Sequence, residues 1–194
     1  MQYSDSERIF DELLLTRIQA GDRRAGERLA ARWYPRLMRT AYRLLRDEDQ
    51  AQIAVQEAWA SICKGWRGLR SPNRFPAWAY TILHRRCADR IRWNQRDRGR
   101  HAADRESDHQ VPPRAEDKVT IGQAFDLLTQ DHRVAATLYF SEGLTVKEIA
   151  SVTGVAAGTV KSRLFHARKQ LKAALGEDQE GSPPDNKENE DDEI

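Results

Sequence analysis

Apolar residues in this chain recur at steps of three and four, the spacing that gathers them on one face of an α-helix. Leu29, Trp33, Leu37, Ala41 and Leu44 follow it across residues 22–46. Val55, Trp59, Ile62 and Trp66 mark a second helix, and Phe75, Trp78, Ala79 and Ile82 a third whose stripe continues weakly to Ile91. A shorter helix over 7–20 stops at Gly21-Asp22, and two glycines and a proline make 65–74 a loop. From 94 to 114 the periodicity vanishes into Gln, Arg, Asp, His and Pro112-Pro113, a stretch too polar to bury a core of its own. A further helical block covers 116–175, and Gly176 precedes an acidic segment. No alternating strand pattern occurs. The pattern predicts an all-α chain of two small helical domains, 1–93 and 116–176, joined by a flexible linker, 94–115, and followed by a disordered tail, 177–194.

Charge sharpens this division. The chain has 194 residues, 39% hydrophobic and 32% charged, with a formal net charge of +2. Residues 177–194 hold nine acidic side chains against Lys187 alone, a local charge of −8, which leaves +10 on residues 1–176. A basic body suits a polyanion such as nucleic acid, and an acidic run suits a solvated tail. Arginine-rich composition by itself carries less, because a GC-rich genome also produces it.

Cys63 and Cys87 form no CxxC pair. His84 and Cys87 lie one helical turn apart, but two ligands do not make a metal site, and a buried thiol beside a surface histidine accounts for them. No metal or other cofactor is expected. Met1 to Glu7 is polar and the apolar run after it is broken by Asp11, Glu12 and Arg17, so no signal peptide is expected. No apolar run reaches the ~18 residues that span a bilayer. The expectation is a cytoplasmic protein with reduced thiols and no membrane insertion.

Thr145-Val146-Lys147-Glu148 has the form of a capping box, opening a short helix that carries Ile149, Ala150 and Val152. Gly154 stands where a tight turn needs positive φ. A longer helix over 158–175 follows, with Val160, Leu164, Ala167, Leu171 and Leu175 on its buried face and Lys161, Ser162, Arg163, His166, Arg168, Lys169 and Lys172 on the others. A short helix, a glycine turn and a basic second helix fit a recognition helix entering the major groove, where Lys and Arg read guanine edges or hold phosphates. Spacing alone leaves open a basic amphipathic helix that only packs and stays solvated.

The residues go further. Leu127-Leu128-Thr129-Gln130-Asp131-His132-Arg133, then Tyr139-Phe140-Ser141-Glu142-Gly143-Leu144, and above all Gly158-Thr159-Val160-Lys161-Ser162-Arg163-Leu164 closely resemble region four of the extracytoplasmic-function sigma factors of RNA polymerase. The resemblance implies that this helix reads the minus-thirty-five promoter element, with DNA contacts at Thr159, Lys161, Ser162, Arg163, Phe165, His166 and Arg168. His166 stands where the family commonly has Arg, which weakens a phosphate or guanine contact there.

The first block resembles region two of the same family. Leu13-Leu14-Leu15-Thr16-Arg17-Ile18-Gln19-Ala20-Gly21-Asp22 looks like its opening. Val55-Gln56-Glu57-Ala58-Trp59 is similar to the segment that docks on the polymerase clamp helices, which implies polymerase contacts at Val55, Gln56, Glu57 and Trp59. Arg74-Phe75-Pro76-Ala77-Trp78-Ala79-Tyr80-Thr81-Ile82 is similar to the helix that opens the minus-ten element. Strand separation needs backbone cations beside platforms for unstacked bases. Trp66, Arg67, Arg74, Arg85, Arg86, Arg90 and Trp93 are the candidates; core packing is the competing role for the tryptophans and the preferred one for Trp59 and Trp78. Gln52-Ile53-Ala54 replaces the family's usual acidic pair, and Arg85 stands where Asn is common.

By resemblance, the linker threads the polymerase cleft; 94–114 could extend to roughly 70 Å, and a passive tether is the alternative. The tail could fold back on the recognition helix, bind another partner or aid solubility. The partners implied are core RNA polymerase, promoter DNA and an anti-sigma factor. No nucleophile–base set, phosphate loop or paired carboxylates beside a His occur, so no enzyme activity is expected. The alternative is a sigma mimic that sequesters an anti-sigma factor without reading DNA, which the altered 52–54 segment would suit and the basic recognition helix would not.

Overall fold

Most helices begin where the sequence supplies an oxygen to cap them. The computed structural model describes residues 4–100 and 120–176, and every regular element among them is helical. Helix α1 (Asp5–Gln19) starts on Ser4, which forms a capping box with Glu7. Helix α2 (Arg23–Leu45) starts on Asp22 and α3 (Glu48–Gly65) on Asp47, each carboxylate accepting from backbone N–H groups of the first turn. Two 3-10 turns, Trp66–Gly68 and Pro72–Arg74, fill the expected loop and lead into α4 (Phe75–Arg100). In the second block, α5 (Ile121–Asp126) and α6 (Gln130–Ala136) are capped by Thr120 and Thr129. A single π-turn (Thr137–Ser141) follows, then α7 (Val146–Thr153) and α8 (Ala157–Ala174).

Helix α4 runs beyond the expected boundary at 93 and takes in the first residues of the expected linker, through Arg100. Each added residue gains a backbone hydrogen bond, and Gln95, Arg96 and Arg98 are good helix formers, so the helix outlasts its apolar stripe. The rest of that linker, 101–115, lies outside the described residues, as does the tail, 177–194.

Trp33 centres the first block. Its ring meets Phe75 edge-on at 4.9 Å and Tyr80 at 5.7 Å, and its indole Nε1 donates to the buried Asp11 carboxylate at 2.7 Å. Arg32 Nε donates to the other Asp11 oxygen at 2.9 Å, so a charge that breaks α1's apolar stripe is buried with both oxygens occupied. At the loop, a Cβ on Gly65 would lie 2.8 Å from the Trp78 ring, a close approach that only glycine permits.

The two blocks do not stand apart. Helix α4 packs along α7, and α2 touches α6. One continuous apolar cluster runs from Leu14, Leu29, Leu37 and Leu83 through Leu138, Leu144, Ile149 and Val160. A smaller cluster of Leu128, Ala136 and Ala167, backed by Phe125 and Leu171, holds α5, α6 and α8 together. The two small helical domains expected from the sequence thus share an apolar cluster.

Candidate nucleic-acid interface

The second block carries the helix-turn-helix. Thr145 caps α7 with the full reciprocal box to Glu148, and Gly154 ends α7 at φ 72°. Val160 and Ala167 are buried, which turns Thr159, Lys161, Ser162, Phe165, His166 and Arg168 outward. Phe165 is 66% exposed, and His166 stacks on His132 with ring centres 5.8 Å apart. Lys161, Arg168 and Phe165 border a shallow pocket of about 280 Å³ with Tyr139 and Phe140, beside the π-turn. Arg163 departs from the outward set: it is half-buried and ion-paired with Asp131 of α6, so its guanidinium is already engaged. The expected buried face is also narrower than predicted. Leu164 and Leu171 are half-buried and Leu175, past the end of α8, is exposed.

In the first block Arg67, Arg74, Arg85 and Trp93 are exposed. Trp66 is half-buried, edge-on to Trp59 at 6.0 Å, which makes it part of the packing. Trp59 also meets Tyr34 at 6.4 Å. Arg86 reaches the Ser61 hydroxyl at 3.3 Å, and Arg90 pairs with Glu57. A residue expected on DNA and one expected on polymerase are thus paired with each other across α3 and α4. Val55 is fully buried, so its side chain offers no surface for the expected polymerase contact; Gln56 is exposed, and Glu57 and Trp59 are half-buried.

The most elaborate polar site was not expected at all. Glu142, directly after the π-turn, is 4% exposed and sits in a cage built by the other block. Arg36 Nε donates to Oε2 at 2.9 Å and the Thr40 hydroxyl donates to Oε1 at 2.7 Å, both from α2. The Tyr80 hydroxyl of α4 donates to Oε2, and Arg43 Nη1 lies 3.9 Å from Oε1. Burial alone would lower the Arg36 pKa, but Tyr80 and Glu142 outweigh it and raise it. Burial pushes the Tyr80 hydroxyl well above the usual range, and Glu142 adds to the shift. Around the cage, Arg46 pairs with Asp126 at 2.7 Å and Arg8 with Glu148 at 3.4 Å. All these contacts join the two blocks. His84 of α4 also feels both: burial lowers its pKa against Asp131, with Arg163 and Arg85 lowering it further. It is half-buried, not the surface histidine expected beside Cys87, whose thiol burial pushes up to about 12. The only sequence signal for Glu142 was an acidic residue directly before Gly143-Leu144, which does not announce a partner some hundred residues away.

Comparison with known proteins settles the family. Residues 29–97 match Sigma-70 region 2, and residues 118–171 match Sigma-70, region 4. The RNA polymerase sigma-H factor of Pseudomonas aeruginosa is 30% identical over 180 residues, covering 85% of this chain and 93% of the relative. The chain belongs to the extracytoplasmic-function sigma factors of the sigma-70 family. The SigM factor of Mycobacterium tuberculosis is 32% identical over 173 residues, covering 88% of this chain and 86% of its own. The fold matches a sigma factor RpoE solved with the anti-sigma factor NepR from Bartonella quintana, at a TM-score of 0.66 and 23% identity, over 79% of this chain and 98% of that one. It also matches CnrH solved with the cytosolic domain of CnrY, at 0.61 and 23%, over 88% and 99%. This sigma factor directs transcription initiation and is not itself an enzyme. Among the described residues no helix is long and apolar enough to cross a membrane, and no group of three or more His, Cys, Asp or Glu side chains is placed to hold a metal ion.

Proposed function

We propose that α8 reads the minus-thirty-five element while α4 and the 66–74 turns engage and open the minus-ten element, with core RNA polymerase docking on α3. The observation that carries this reading is the orientation of α8: Val160 and Ala167 face inward and Lys161, Ser162, Phe165, His166 and Arg168 face solvent on a helix held behind a glycine turn. Lys161 and Arg168 supply phosphate or guanine contacts, Ser162 and Thr159 weaker ones, and Phe165 an apolar surface for a thymine methyl. In the first block, Arg67, Arg74 and Arg85 supply backbone cations, and Trp93 an exposed ring on which an unstacked base can lie. Gln56 is the exposed centre of the polymerase-docking segment, with Glu57 and Trp59 beside it.

An anti-sigma factor is proposed as the regulator, since the similar sigma factor RpoE was solved with the anti-sigma factor NepR. Site of action is proposed to be the cytoplasm. The test is run-off transcription with core polymerase and sequencing of the transcript starts. Initiation from a defined promoter class, lost when Lys161 and Arg168 are changed to Ala together, is the expected result. Stimulation of transcription only through a second sigma factor would instead mark a mimic and overturn the reading.

A further inference from the structure

Between the two blocks, a groove of about 480 Å³ runs between α2 and α5. Arg39, Tyr42, Arg43 and Arg46 form one wall, and Ile121 and Phe125 stand on the other. Its chemistry is mixed. Tyr42 is 55% exposed and Ile121 69%, an apolar surface left to water. Arg46 is paired with Asp126, and Arg43 reaches Glu142 only at 3.9 Å while keeping 43% of its side chain exposed. Arg39 is exposed, with no carboxylate bridged to it among the described residues. Such a groove suits a segment rich in carboxylates.

We propose that residues 177–194 of this chain occupy it. That segment carries −8 and begins directly after Gly176. Leu171, near the end of α8, packs in the same small cluster as Phe125, a residue of the groove wall. The chain therefore leaves α8 beside the groove, and the segment can extend to roughly 60 Å, far more than it needs. Closing so short a loop costs little entropy, and the effective local concentration is high. The cations on the outer face of α8 attract the same segment, but they stand on an open helix surface; the groove adds enclosure and the exposed Tyr42 and Ile121 side chains to the guanidinium groups of Arg39 and Arg43. Because one wall comes from the first block and the other from the second, the seated segment bridges them. It acts as a staple that favours the closed arrangement and is lost when the blocks separate.

The docking depends on neither promoter nor polymerase; only its consequence for initiation rests on the proposed function. The test therefore uses the full chain without DNA. A photo-crosslinking amino acid replaces Tyr42 in one preparation and Phe165 in another, and captured peptides are mapped by mass spectrometry. Capture of residues 177–194 at position 42, reduced at least tenfold by Arg39→Glu or by 0.5 M salt, is the expected result. Mixed heavy- and light-isotope chains show whether the captured segment belongs to the same molecule. No capture at 42, capture at 165 instead, capture insensitive to Arg39→Glu, or capture only between molecules would each overturn the proposal. Circular dichroism of Arg39→Glu, a change at an exposed side chain, confirms that any loss is not unfolding.

Discussion

Lys161 and Arg163 lie two positions apart on α8 and behave differently for a reason visible only in three dimensions. Lys161 is free toward solvent, whereas Arg163 is held by Asp131. Lys161→Ala is expected to weaken promoter-duplex binding and to reduce the slope of log affinity against log salt by about 1, the share of one phosphate contact. Fluorescence anisotropy across a salt series reads it. Tyr80→Phe removes one donor from the buried Glu142 carboxylate without changing side-chain shape. A hydrogen bond to a charged group contributes about 1.5–3 kcal/mol, so a loss in that range is expected from urea denaturation. His84 sets a pH dependence. Its folded pKa lies below the unfolded value, so the unfolded chain binds more protons as pH falls. Stability should therefore be full above the unfolded value near 6.5 and fall as pH drops below it toward the folded value. His84→Gln should flatten that part of the stability–pH curve, measured by thermal melts between about pH 5 and 8.

At the scale of the element, the helix-turn-helix rests on two local devices. Thr145 satisfies the Glu148 amide and Glu148 returns to the Thr145 amide at 2.8 Å. Gly154 takes φ 72°, and a Cβ there would meet nothing within 4 Å, so its requirement is conformational rather than steric. Thr145→Ala and Gly154→Ala are each expected to cost about 1 kcal/mol, the first through a lost cap and the second through left-handed strain. Equilibrium denaturation with unchanged m-value would check both. Both devices were legible in the sequence because they are formed by residues within a few positions of one another. The run of α4 past residue 93 was not, because backbone hydrogen bonding and helix propensity carry a helix beyond its apolar stripe. Nor was the engagement of Glu57 with Arg90, which depends on how α3 lies beside α4.

At the scale of the molecule, the decisive contact is the Glu142 cage. The buried carboxylate is tolerated because Arg36, Thr40 and Tyr80 replace the water it gave up. Removing it leaves Arg36, 12% exposed at its side chain, without its carboxylate. Breaking such a pair costs about 3–5 kcal/mol when the remaining charge stays buried. Separation of the blocks exposes that charge to water and avoids the penalty. Glu142→Ala is therefore expected to open the molecule, read as a fall in energy transfer between dyes on α2 and α8 and as a larger radius of gyration. An unchanged distance would show that the shared apolar cluster alone holds closure. The same contact bears on the proposed function. Elements named for positions about 25 base pairs apart lie roughly 85 Å apart at 3.4 Å per pair, whereas α4 packs directly against α7. If α4 and α8 engage the two elements as proposed, the blocks must separate, and closure then opposes initiation until polymerase or DNA offsets it.

Local sequence was enough to read the main helices, the Thr145 cap, the helix-turn-helix and the family. These are set by periodicity and by side chain–backbone contacts over three or four positions, and a long motif such as 158–164 leaves little freedom in reading them. Long-range packing sets which cations face solvent unpaired, buries Val55 while exposing Gln56, and closes the two blocks on Glu142. Those outcomes depend on which faces meet across the chain, and a carboxylate carries no local mark of whether its partner will be water or an arginine a hundred residues away.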